Sequence, residues 1–314
     1  MTTVEPGTGK YELVLERCRG LAPVPTAVAY PCETSALAAA LDAAKEGLIA
    51  PLLVGPAAKI AAVAKAGNLD LGGAKVVDVE DSAAAARAVA LVREGQAELL
   101  MKGSLHTDEL LSAVVARETG LRTGRRLSHV FVMDVPTYHK VLIVTDGAIN
   151  IAPTLDEKAD ICQNAIDLAR SFGVERPKVA ILAAVETVTL KMPATIDAAA
   201  LCKMAERGQI TGGVLDGPLA FDNAISAEAA KVKKITSPVA GDPDILLAPD
   251  LEAGNMLAKQ LSFLANADSA GLVLGARVPI ILTSRADSVR SKVASCAVAV
   301  LAAHARRQGK TGMT

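Results

Sequence analysis

The chain has no tryptophan, and aromatic residues make up 2% of its 314 positions. A core without large rings must be filled by Ala, Val, Leu and Ile, which suits helices lying close on a largely parallel sheet. Neither sign of charge is in excess, since 33 Lys and Arg face 34 Asp and Glu for a net charge of −1. That balance offers no electrostatic footprint for nucleic acid or a membrane surface, so an anionic ligand must be held by local groups. Charges or glycines break every apolar run well short of the ~20 residues of a membrane span. No early segment has the form of a signal peptide. The five cysteines at 18, 32, 162, 202 and 296 form no CxxC pair. An odd, scattered set predicts reduced, mostly buried thiols in a soluble cytoplasmic protein, with Cys296 in the core of the last helix.

Motifs for several chemistries are missing as well. The four histidines (106, 129, 139, 304) show no HExxH or other ligand spacing, so no metal site is expected. His129 lies in a β-type run and reads as core. There is no GxSxG elbow, and no GxGxxG follows the early strands, which leaves a dinucleotide site without support.

What the chain does have is alternation. After a polar leader and a short helix at Tyr11–Arg19, β-type runs at 27–30, 51–55, 75–79 and 98–102 each precede a helical run, at 34–46, 57–66, 82–94 and 107–117. This period predicts a parallel, doubly wound α/β sheet with right-handed crossovers. Residues 129–134 and 141–145 read as a β pair around the Pro136–Tyr138 turn. Helices then follow at 155–172, 196–207, 223–231 and 251–265, with strands at 178–183, 213–216 and 245–248. The division expected is 1–136 plus 279–314 for a first α/β domain and 137–278 for a second.

Ligands on such sheets collect at the carboxyl ends of strands, and several ends carry suitable groups. The run Pro279–Leu282 breaks at Thr283-Ser284-Arg285-Ala286-Asp287-Ser288 and resumes as an Ala/Val-rich helix. A helix start presents unpaired N–H groups and partial positive charge, and Arg285 adds a permanently charged fork for phosphate or carboxylate. Asp287 or Ser288 is equally suited to capping that helix. Lys102-Gly103-Ser104 with Thr107 follows another strand and opens a helix. Gly103 permits close backbone approach, Lys102 brings charge, and Ser104 and Thr107 bring hydroxyls; the bland alternative is a plain turn capped by Thr107. Asp216-Gly217-Pro218 is expected to end its strand in a turn that holds Asp216 in a cleft, with Asp222 capping the next helix. Thr145-Asp146-Gly147 fits a tight Asx turn. Together these groups suit a reaction between anionic partners, in which the protein positions reactants without forming bonds to them.

Three long segments carry a family resemblance: PTYHKVLIVTDGAINIAPTLDEKADICQNAIDLARSFG from Pro136, KMPATIDAAALCKMAERGQITGGVLDGPLAFDNAIS from Lys191, and PDLEAGNMLAKQLSFLANADSAGLVLGARVPIILTSRADS from Pro249. In order and in content they resemble the phosphate acetyltransferase/phosphate butyryltransferase family, above all the transferase half of chains that also bear an enoyl-CoA hydratase domain. The resemblance implies a free-standing transferase with two doubly wound, isocitrate/isopropylmalate-dehydrogenase-like domains and an active site between them. It also implies a homodimer. The implied reaction moves an acyl group between CoA and inorganic phosphate, with CoA, acyl-CoA, phosphate and acyl phosphate as substrates, no further cofactor and no covalent acyl-enzyme. Ser284 and Arg285 match the family's Ser-Arg pair at the thiol and phosphate, while Lys102-Gly103-Ser104 and Asp216-Gly217-Pro218 match strand-end motifs of the cleft.

The chain departs from acetyl-type members in two places. Ser291 stands where they carry an Asp proposed as general base, leaving Asp287 as the nearest acid, as in butyryl-type members. Leu110 and Leu111 stand where they place an Arg, so phosphate falls to Lys102, Arg285, Arg125 or Arg126. The hydratase-fused relatives favour acetyl as the acyl group. Two other readings compete. One is a non-catalytic acyl-CoA-sensing module, against which the intact Ser284-Arg285 pair argues. The other is a metal-dependent NAD dehydrogenase of the related fold, which would need an acidic or His metal cluster.

Overall fold

The structure is a computed structural model that describes residues 9–284 and 287–309. The chain folds as two compact units: Tyr11–Arg125 with Ala270–Gly309, and Arg126–Ser269 with Lys10. The divisions thus fall at 125/126 and 269/270, about ten residues before the positions expected from the sequence.

The first unit begins with α1 (Lys10–Cys18), β1 (Val24–Ala29), α2 (Thr34–Lys45), β2 (Ile49–Gly55), α3 (Ala57–Ala66) and β3 (Lys75–Asp78). A 3₁₀ turn at Asp81–Ala83 then leads into α4 (Ala84–Arg93), β4 (Leu99–Lys102) and α5 (Thr107–Val115). The βα alternation is present where the sequence placed it. Strand β1 starts three residues earlier than expected and takes in Pro25, whose missing N–H is tolerated this close to the strand's entry.

The second unit contains β5 (Ser128–Asp134), β6 (Leu142–Thr145), α6 (Leu155–Ser171), β7 (Lys178–Leu182), α7 (Pro193–Glu206), β8 (Val214–Leu219), α8 (Phe221–Ile225), α9 (Ala227–Val232), β9 (Ile245–Leu247) and α10 (Leu251–Leu264). Its strands lie in the order β5-β6-β9-β7-β8. The β5/β6 pair is antiparallel and the others parallel. Its core joins Met133, Leu142 and Val144 to Ala180, Leu182, Leu219 and Leu246. Each fully buried aliphatic side chain of that kind contributes roughly 1.5–3 kcal/mol. The single helix expected at 223–231 is two, broken at Ser226, whose hydroxyl caps α9 by accepting from Ala229 N–H. Asp222 is not a cap; it lies inside α8, whose N-cap is Ala220.

The chain returns to the first unit through β10 (Asp268–Leu274), β11 (Ile280–Ile281) and α11 (Val289–Arg307). The run β3-β2-β1-β4-β11-β10 is parallel except at β10, which pairs antiparallel with β11. Strand β10 was not expected, so the sheet is mixed where a parallel one was anticipated. Strand order reverses between β1 and β4: β2 and β3 extend to one side, β4 to the other. Such a switch point opens a crevice at the carboxyl ends of the two strands. The register sets those ends level, with Ala29 opposite Lys102 and Met101 opposite Ile281. Helix α11 packs on α2, β4 and β11 and buries Ala294–Ala303 continuously. Small side chains let it lie that close.

Candidate active site

At the switch point, the chain leaves β4 through Gly103, whose N–H donates to Ala29 O at 2.9 Å. A Cβ there would stand 2.3 Å from Ala29 O and 2.4 Å from Tyr30 O, both backbone atoms, so only glycine fits. Ser104 is buried. Its N–H and hydroxyl both donate to Tyr30 O, at 2.8 and 2.7 Å, and its oxygen accepts from Cys32 N–H at 2.9 Å. These bonds hold Tyr30 at φ +54°, a left-handed conformation that costs a side-chain-bearing residue of order 1 kcal/mol. Ser104 thus fixes the mouth of β1. The Tyr30 hydroxyl donates to Asp81, which is ion-paired with Lys59. That bond from Lys59 holds the Asp81 carboxyl below its ordinary range. Burial raises the Cys32 thiol, with Asp81 adding and Lys59 opposing, so Cys32 is no ready thiolate.

Beside β4, the exit of β11 runs through buried Thr283 to exposed Ser284. The Asp287 carboxylate accepts from Ser284 N–H at 2.6 Å, and Asp287 N–H donates back to Ser284 O at 3.2 Å, so the two residues clasp a turn. Ser288, not Asp287, is the N-cap of α11, its hydroxyl accepting from Ser291 N–H at 3.0 Å. Arg285 lies outside the described residues.

Lys102, Gly103, Thr283, Ser284, Glu33 and Lys292 line one crevice. Lys102 and Lys292 are 7% and 4% exposed, so this mouth holds two buried cations. Lys102 donates to Gly103 O at 3.3 Å. Two wider cavities in the same unit suit anions less well. The one of about 590 Å3 is lined by Asp78, Glu80 and Asp81. In the one of about 470 Å3, Arg19, Lys45 and Arg290 are paired with Glu16, Asp42 and Glu12.

The remaining expected residues sit elsewhere. Thr107 is the first residue of α5 and not its cap; the N-cap is His106, which makes no side-chain cap bond. Asp216, Gly217 and Pro218 belong to the second unit. They do not end their strand: β8 continues to Leu219, and a register shift against β7 absorbs the extra residue. Asp216 Oδ1 accepts from Gly217 N–H at 2.9 Å. Asp146 forms the expected Asx turn, accepting from the N–H groups of Ala148, Ile149 and Asn150. His129 is buried, with its ring edge-on to Phe131 at 4.4 Å. Arg126 is tied to Asn150 and Glu157. All five cysteines are free, three of them buried. Among the described residues no group of three acidic, His or Cys side chains could hold a metal, and no helix is long and apolar enough to cross a membrane.

Sequence reasoning passed over Glu33 and Lys292. A helical wheel carries the signal for Lys292: it shares a face with Cys296, Ala299 and Ala303, the face that packs inward.

Residues 82–300 match the family model described as phosphate acetyl/butaryl transferase. The chain is 65% identical over 299 residues to a phosphate acetyltransferase of Rhizobium meliloti, covering 95% of each. It is 42% identical to a phosphate butyryltransferase of Clostridium beijerinckii, across 93% of this chain and 97% of that one. A branched-chain phosphotransacylase from Enterococcus faecalis V583 superposes with a TM-score of 0.76 at 31% identity, covering 90% of this chain and 99% of the other. A sheet whose switch point gathers buried lysines and a Ser-bearing turn agrees with that likeness, and the chain belongs to the phosphate acetyl/butyryl transferase family.

Proposed function

We propose that the chain is a phosphate acetyltransferase, moving an acetyl group reversibly between CoA and inorganic phosphate. The observation that carries this reading is the 65% identity, over 95% of both chains, to a phosphate acetyltransferase. Towards acetyl-CoA, the CoA thiol must lose its proton, since the thiolate is the attacking form. Its sulfur adds to the carbonyl of acetyl phosphate, the C–O bond to phosphate breaks, and phosphate leaves. The electrophile is a mixed anhydride already activated for attack, so the protein's work is proton removal, alignment and charge stabilisation.

Ser284, at the reacting turn, aligns the carbonyl or thiol. Arg285 and Lys102 hold phosphate oxygens and the oxyanion of the tetrahedral intermediate. Asp287, whose carboxylate already touches the Ser284 backbone, is the base for the thiol. Gly103 and Ser104 shape the mouth, Thr107 joins them in substrate binding, and the second unit's Asp216-Gly217-Pro218 are assigned to substrate binding in their own right. The protein acts in the cytoplasm as a homodimer and requires no metal or cofactor.

The test is thioester formation from CoA and acetyl phosphate, with and without EDTA. Undiminished turnover in EDTA supports the reading. CoA binding without turnover would make the chain a sensing module, and turnover that depends on NAD and a divalent metal would overturn the reading altogether.

A further inference from the structure

We propose that Lys292 binds the phosphate that is transferred, holding it at the mouth of the crevice lined by Lys102 and Ser284. The inference rests on the transferase reading and deepens it by naming the group that receives the anion.

Lys292 stands one turn into α11 and is 4% exposed. Its ammonium makes no hydrogen bond or ion pair among the described residues. The ammonium is not among the enclosed polar atoms without a partner, so the stem is buried while the charged tip opens onto the crevice. Packing does not require it. The rest of its face on α11 is Cys296, Ala299 and Ala303, and an uncharged side chain of equal length would lie there more cheaply. What surrounds the charge points to an anion. The same crevice is lined by Lys102, itself buried, against a single carboxylate, Glu33, which is exposed at the rim. The first turn of α11 adds partial positive charge from the same side.

Size sets how the anion is held. The crevice encloses about 10 Å3, room for about one water. No whole anion enters, so phosphate sits at the mouth with one oxygen in place of that water, and the transferase reading supplies phosphate as the anion that must lie against Ser284. Ser284 borders the same space, so a phosphate there lies against the reacting turn. The diphosphate of CoA carries similar oxygens, and the kinetic arms below separate the two sources.

The variants are Lys292→Met, which keeps the stem and removes the charge, and Lys292→Arg, which keeps the charge. In the full chain, Lys292→Met should raise KM for phosphate and for acetyl phosphate at least about tenfold, the loss of one charge-assisted contact. KM for CoA should stay within about twofold, and Lys292→Arg should recover part of the loss. Added phosphate should raise the Tm of the wild type and not that of Lys292→Met. Without ligand, Lys292→Met should melt no lower than the wild type, an outcome that a merely structural lysine would not give. Should Lys292→Met fail to fold, Lys292→Gln takes the same phosphate titration. Unchanged phosphate constants, or a rise confined to CoA, in an otherwise active enzyme would overturn the inference and leave the transferase reading intact. A wild type without turnover, yet with a Lys292-dependent Tm shift in phosphate, would overturn the transferase reading alone.

Discussion

Two carbonyls, Ala29 O and Tyr30 O, occupy the space a side chain at Gly103 would need. Neither can yield without moving the end of β1, so the clash cannot be relieved by a rotamer change. Gly103→Ala should therefore lose about 1–3 kcal/mol, the usual range for overpacking, seen as a lower urea midpoint with an unchanged slope. Activity should fall further than stability, because the displaced backbone carries Lys102. The clasp between Asp287 and Ser284 invites a different substitution. An Asn carbonyl can still accept from Ser284 N–H, so Asp287→Asn keeps the turn and removes the charge. With Asp287 as the base, kcat should drop at least about 100-fold and the pH–rate profile should change shape. A variant retaining the wild-type profile would reduce Asp287 to the clasp. The sequence placed both residues at strand ends correctly. It could not separate a ligand-facing hydroxyl from a structural one, and Ser104 is spent on the backbone of Tyr30 and Cys32. Lys292 was passed over because a lysine argues for the surface; only the helical wheel, which sets it on one face with Cys296 and Ala299, points inward.

Among the elements of the second unit, β6, β7 and β9 are tied at their amino ends by charge. Asp242 accepts from Lys178 at 2.6 Å, and Lys140 and His139 lie at 3.0 and 2.8 Å; Lys140 also meets Asp244 at 2.9 Å. Burial alone would raise the Asp242 carboxyl, but the bonds from Lys178, Lys140 and His139 outweigh it and bring it from 3.8 to about 2. A folded value below the unfolded one stabilises the ionised state. That contribution is complete above pH 4 and is lost as pH falls towards 2. The side chain is 41% exposed, so solvent screens the effect to well below its nominal size. Urea midpoints of the wild type should fall more steeply from pH 4 to pH 2 than those of Asp242→Asn, the two curves converging at the acid end. Parallel curves would dissociate Asp242 from the acid limb.

At this scale the sequence was most readable where a pattern repeats and least where one residue bends it. The βα alternation shows in burial periodicity, so β1 to β4 and α2 to α5 were found with small errors at their ends. Strand β10 was missed because DSAGLVL has a glycine within it and follows Asn266, both of which read as loop; its partner β11 is only two residues long. At β8 the opposite happened: Gly217-Pro218 reads as a stop, yet the register shift against β7 lets the strand continue. Pairing decided both cases, with the neighbouring β11 for β10 and the more distant β7 for β8.

Acyl preference belongs to the molecule as a whole, because no single motif decides it. Asp287 resembles the butyryl pattern and Ser291 departs from the acetyl one, whereas identity is 65% to an acetyltransferase over 95% of the chain and 42% to a butyryltransferase over 93%. Selectivity for chain length is a matter of pocket volume, set by many side chains together, so similarity over the whole chain outweighs two positions beside the turn. Butyryl adds two methylenes to acetyl. In a pocket closed around a methyl group those carbons have nowhere to go, and discrimination of that kind runs from about 10- to 200-fold per methylene. The kcat/KM for acetyl phosphate should therefore exceed that for butyryl phosphate at least about tenfold when both are assayed with CoA under one set of conditions. The penalty should appear mainly in kcat if the longer chain binds but misaligns its carbonyl, and mainly in KM if it is excluded outright. A ratio near one, or one favouring butyryl, would mean that the pocket is open beyond the methyl group, and the two positions beside Ser284 would then be the better guide to the substrate.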